Sequence, residues 1–233
     1  MLAKYWLDKY WHLSLILIFS TLAVLSFGYP LYFDRLFIVV TIVLISVYKV
    51  NKNLFSIGLI LLFVRGLDEI AFFCRLLSEA KLFYYLISAY IFYKFRFDSQ
   101  TRNIIIPLFV ICVITEFYWL FTDYPAPNLH TYIIVLVLNL CYRMLLINRV
   151  HLLRSIWGAK INGITLDYSL YKVTLLYAVI VIFMIIEYLI RHTTPLNPMY
   201  IYHSYSYLMG LTSILTIYFI IEFGTKLTFK FKA

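Results

Sequence analysis

Apolar runs and short polar turns alternate along this chain from end to end. Crossing the hydrocarbon core of a bilayer, about 30 Å thick, takes roughly 20 apolar residues in a helix. The pattern predicts eight such spans, at approximately 11–29, 35–50, 54–73, 77–95, 103–121, 129–147, 173–190 and 200–223. Turn residues separate them: Tyr29–Pro30 after the first, TDYPAPN after the fifth and RHTTPLNP after the seventh. Tyr5, Trp6, Tyr10 and Trp11 form an aromatic anchor at the start of the first span. Lys4 and Lys9 resemble the n-region of a signal peptide, but no small-x-small cleavage site follows Val24–Gly28, so the first helix is expected to stay uncleaved.

The longest polar segment is 148–172, reading NRVHLLRSIWGAKINGITLDYSLYK, and it is too short for a soluble domain. Leu152, Leu153, Ile156 and Trp157 share one helical face against Arg149, Arg154 and Lys160. That pattern predicts a short interfacial helix at about 149–157, lying in the headgroup plane. With 64% hydrophobic and 13% charged residues in 233, the chain has more apolar surface than a soluble fold of this length can hide. The expected fold is an all-α integral membrane protein, one polytopic bundle of about eight transmembrane helices with no soluble domain.

The net charge of +9 does not point to nucleic acid, because its lysines and arginines fall between apolar runs and not on a soluble module. With the N-terminus inside, the inner segments hold fourteen of the twenty Lys and Arg, whereas the outer turns hold four: Arg35, Arg75, Lys81 and Arg191. Positive residues stay on the cytoplasmic side, so both termini are predicted inside. The partners expected are anionic lipid headgroups on that side, together with a membrane-protein partner or a second copy of the chain. The charge bias, the lack of organelle signals and the lack of any N-x-Ser/Thr sequon place it in a bacterial inner (plasma) membrane. Cys74, Cys112 and Cys141 lie in or beside apolar runs without CxxC spacing and read as small core residues.

One run breaks the apolar pattern. LFSIGLILLFVRGLDEIAFF, from Leu54 to Phe73, carries Arg65, Asp68 and Glu69, which project from nearly one helical face. A charge near the middle of a membrane helix costs about 2.5–3.5 kcal/mol on insertion scales. Mutual neutralisation reduces that cost, which leaves two readings: an ion pair that locks helices together, or a polar site lining a cavity. The expected counter-charge of Arg65 is Asp68 or Glu69 on its own helix, or Glu116 or Glu187 on a neighbour. In the predicted orientation Asp68, Glu69, Glu116 and Glu187 fall at a similar depth near the outer ends of the third, fifth and seventh spans. His130 and His203 begin the sixth and eighth spans at that same end. These seven residues are the candidate binding cluster. Its alternative is a set of separate ties, each acid meeting a tyrosine hydroxyl, a histidine or a backbone group.

Catalytic signatures are absent from the sequence: no HExxH, no GxSxG elbow and no glycine-rich phosphate loop. The five histidines have no i, i+3 or i+4 pairing, so neither a metal nor any other cofactor is expected. Three functional classes stay open, in this order. The first is a non-enzymatic sensor, scaffold or accessory subunit. Ion or small polar solute binding and transport through the acidic cluster comes second. The third is a membrane-embedded enzyme acting on a lipid-linked substrate, with a carboxylate and a histidine as acid and base.

Overall fold

A helix satisfies each backbone N–H and C=O within its own segment, which is what an apolar environment requires. The computed structural model describes residues 29–49, 51–74, 81–125, 129–157 and 163–230, with scattered positions between 10 and 26, and contains no strand among them. Helix α1 is Pro30–Val47, α2 Lys52–Cys74, α3 Lys81–Lys94, α4 Ile106–Phe121, α5 Leu129–Ile147, α6 Arg149–Trp157, α7 Thr165–Thr193 and α8 Tyr200–Lys230. Among the described residues four helices are long and apolar enough to cross a membrane: Thr101–Phe121, Leu129–Ile147, Thr165–Thr193 and Tyr200–Gly224.

The remaining expected spans fare differently. Most of 11–29 lies outside the described residues, as does the start of 77–95. Helix α2 has 23 residues, about 34 Å at 1.5 Å each, but carries three charges in its second half. The described part of α3 has 14 residues, about 21 Å at 1.5 Å each.

Local chemistry sets the helix ends. Pro30 begins α1 ahead of the expected 35, since its fixed φ is already helical and its missing N–H is not needed in a first turn. Asn51 caps α2, its Oδ1 accepting the N–H groups of Asn53 at 3.1 Å and Leu54 at 3.3 Å. Asp98 accepts the Thr101 N–H at 3.0 Å and its hydroxyl at 2.9 Å. Residues Thr101–Ile105 then form a π-helical turn, in which the Ile106 N–H reaches back to the Thr101 carbonyl. The cause is Pro107, which lacks an N–H and whose ring crowds the carbonyl one turn back. Helix α7 starts at Thr165 rather than 173, because the Asp167 carboxylate accepts the Ile164 N–H at 3.1 Å and Leu166 and Leu170 are buried.

The chain divides into two compact units. The first comprises Met1–Arg65, Tyr142–Tyr177 and Ser206–Ala233. Its core joins Phe37 and Leu44 of α1, Leu54, Ile57 and Leu61 of α2, Leu166 and Leu170 of α7, and Ile217 and Ile221 of α8. Glycine is required here at two close approaches: a methyl at Gly58 would overlap the Ile45 side chain, and one at Gly224 the Tyr48 ring. The second unit comprises Gly66–Cys141 and Ala178–Tyr205. Its buried side chains include Tyr84, Phe92, Leu108, Cys112, Trp119, Leu136, Val181, Ile185 and Tyr188.

Candidate functional site

In the second unit, Leu108, Cys112, Glu116 and Trp119 recur at helical spacing and form the buried stripe of α4. Glu116 is therefore carried into the interior by its apolar neighbours. There it meets α3, where Lys81 and Tyr85 lie one turn apart. The Lys81 ammonium is 2.5 Å from Glu116 Oε2, and the Tyr85 hydroxyl donates to Oε1 at 3.0 Å. Both carboxylate oxygens are thus committed. The Glu116 side chain is 8% exposed and that of Lys81 29%, so the pair is enclosed at the acid and partly open at the amine.

Glu187 is held by a different device. Its buried carboxylate accepts the N–H of Ile201 at 2.7 Å and of Tyr202 at 2.9 Å, the first amides of α8. Those amides have no intrahelical partner, and a helix N-terminus favours negative charge, so Glu187 serves as the cap that α8 lacks locally. Four residues later the Arg191 guanidinium carbon lies 5.3 Å from the ring centroid of Tyr188 and 5.2 Å from that of Tyr202. His192 follows, with its ring 4.4 Å from Tyr188 and Nδ1 sharing a 3.0 Å hydrogen bond with the Tyr124 hydroxyl. Trp119, Tyr132 and Tyr124 complete an aromatic wall around the end of α7.

The other predicted residues have separate surroundings. His130 is buried and stacks on Tyr84, rings 5.8 Å apart and nearly parallel. His203 is exposed, with its ring edge-on to Tyr202 at 5.6 Å. On α2, Asp68 is half-buried and Glu69 exposed. Arg65, in the first unit, pairs with Asp34 of α1 and lies 5.9 Å from the centre of the Phe37 ring. Asp34 is not among the expected partners of Arg65, because it precedes the expected second span at 35–50. Among the described residues, no group of three or more His, Cys, Asp or Glu is placed to share a metal ion.

The first unit encloses a charge that the sequence pattern places on the polar face of an interfacial helix. Arg149 opens α6 and is fully buried. Its Nε and Nη2 donate to the two Asp167 oxygens at 2.8 and 2.7 Å, a side-on fork. Nη1 donates to Ser56 Oγ at 2.9 Å and to Asn53 Oδ1 at 3.3 Å. One side chain thereby joins α6, α7 and α2. Two turns before it, Arg143 is also buried and donates to the Tyr171 hydroxyl. The available signal for Arg149 was Asp167, the single acid in the basic 148–172 segment.

Comparison with protein-family models, with curated proteins and with solved structures finds no match to this chain.

Proposed function

We propose that this chain is a multi-span protein of a bacterial inner membrane, with about eight spans and both ends inside, acting as a non-enzymatic scaffold, sensor or accessory subunit. The observation that carries this reading is how the buried acids are used. Glu116 is committed to Lys81 and Tyr85, and Glu187 to two backbone amides. Transport or acid–base catalysis needs a carboxylate free to exchange its partner for a cation or a proton. Here the same groups tie helices together, as intramembrane polar groups commonly do. The topology rests on the four apolar helices and on the fourteen-to-four bias of basic residues toward the inner segments.

A second reading is favoured by one feature: Lys81 is the more exposed member of its pair. If Lys81 swings away, Glu116 becomes an acceptor for an ion or a small polar solute. Thermal stability of the purified protein in sodium, potassium and magnesium salts, compared with Glu116→Gln, separates the two. The scaffold reading expects a melting temperature that does not distinguish among these cations at matched ionic strength. A cation-specific rise that disappears in Glu116→Gln would replace it with the ion-binding reading.

The topology has its own test in reporter fusions. Reporters after Ala233 and within 148–172 should read as cytoplasmic, and those after Asp123 or Thr194 as external. A cytoplasmic signal at either of the latter positions rejects the eight-span arrangement.

A further inference from the structure

We propose that Arg191 is the anchor of an oxyanion site that takes a phosphate group at the membrane surface. Arg65, Lys81 and Arg149 each face a carboxylate, from Asp34, Glu116 and Asp167. Arg191 differs. Its guanidinium carbon lies 5.3 and 5.2 Å from the ring centroids of Tyr188 and Tyr202, and Nε is buried without a hydrogen-bond partner among the described residues. The residue is partly exposed, and the two Nη groups, which are not among the buried unpartnered atoms, form the guanidinium edge on which an oxyanion can bind. Two coplanar oxygens of a phosphate match that edge.

The surroundings fix the donor in place. Tyr188 is 7% exposed and wedged between Tyr132 and His192, whereas Tyr202 stands in the first turn of α8. Glu187 is the nearest acid along the helix, one turn before Arg191, and both its oxygens are occupied by α8 amides. The His192 ring, held by the Tyr124 hydroxyl, packs 4.4 Å from Tyr188 and helps to fix that ring.

The depth argument rests on reading α7 as a membrane span. Its 29 residues extend about 43 Å, longer than a hydrocarbon core of about 30 Å. Arg191, in the last turn, then stands at headgroup level. A lipid phosphate and free inorganic phosphate share the required chemistry, and the experiment distinguishes them.

Wild type, Arg191→Gln and Arg191→Lys are placed in nanodiscs of zwitterionic phosphatidylcholine, and thermal stability and retained lipid are followed as phosphatidylglycerol is introduced. A parallel series in zwitterionic detergent receives inorganic phosphate. For a lipid ligand, phosphatidylglycerol stabilises wild type and is retained about tenfold less well by Arg191→Gln, the scale of losing charge-assisted hydrogen bonds. Arg191→Lys keeps the charge but not the fork; it folds and retains the lipid more weakly than wild type. An Arg191-dependent response to inorganic phosphate alone identifies free phosphate as the ligand. Equal responses of wild type and Arg191→Gln, or no response to either anion, overturn the site. If Arg191→Gln does not fold, Arg191→Lys decides, and binding equal to wild type rejects the fork geometry.

Discussion

Arg149 and Arg191 carry the same charge at opposite kinds of helix end. Arg149 stands at the first position of α6, where the helix presents its positive pole, and Arg191 in the last turn of α7, where the pole is negative. Only Asn148 separates it from the C-terminal end of α5, so burial of the charge, more than the pole of α6, is the cost to be met. Asp167, Ser56 and Asn53 together offset that cost by engaging the guanidinium at its edge. At Arg191 the helix pole already favours the cation, and the rings of Tyr188 and Tyr202 lie beside it. The two arginines are thus held differently: Arg149 by edge contacts with an acid, a hydroxyl and an amide, Arg191 beside two rings at a helix C-terminus.

The strongest test of this contrast is to remove the edge contacts. Arg149→Leu leaves the Asp167 carboxylate without its counter-charge and Ser56 and Asn53 without their donor. Breaking a buried ion pair by removing one partner costs about 3–5 kcal/mol. The expected outcome is a large fall in melting temperature, or failure to accumulate. The double change Arg149→Leu with Asp167→Asn should recover part of the loss, because no uncompensated charge is left. Full additivity of the two single changes would mean that they do not act as a pair.

The helices were legible where both boundaries are chemical. Helix α5 coincides with the apolar run 129–147, which follows a proline-bounded turn and ends before Asn148, and α6 matches the expected 149–157. Hydropathy failed where polar residues are helical for tertiary reasons. The segment from Thr165 to Lys172 looks like loop, yet Leu166 and Leu170 bury a stripe and Asp167 caps the turn. Tyr29–Pro30 breaks the apolar pattern, yet proline is equally a helix start signal, and α1 begins there and carries Asp34 to Arg65. Glu116 and Glu187 stand out in the sequence as acids within apolar runs and both are buried, but their partners are not readable from spacing. Lys81 is 35 positions from Glu116, and the α8 amides carry no side-chain signature at all.

The finer test of the contrast exchanges each arginine for lysine. At Arg149 a lysine has one nitrogen where the site uses three, so it cannot hold both Asp167 oxygens and also reach Ser56 and Asn53. Most of the destabilisation of Arg149→Leu should therefore persist in Arg149→Lys. At Arg191 the stabilising terms are the charge at the helix C-terminus and its attraction to two rings, which a lysine ammonium also supplies. Arg191→Gln removes both terms and is expected to cost about 1–2 kcal/mol, whereas Arg191→Lys should lie close to wild type. Thermal unfolding of the four variants in one detergent checks the ordering, with Arg149→Leu and Arg149→Lys lowest, Arg191→Gln next and Arg191→Lys highest. A lysine tolerated equally well at both positions would show that only charge matters at Arg149, and the distinction between edge-held and ring-flanked arginines would fail.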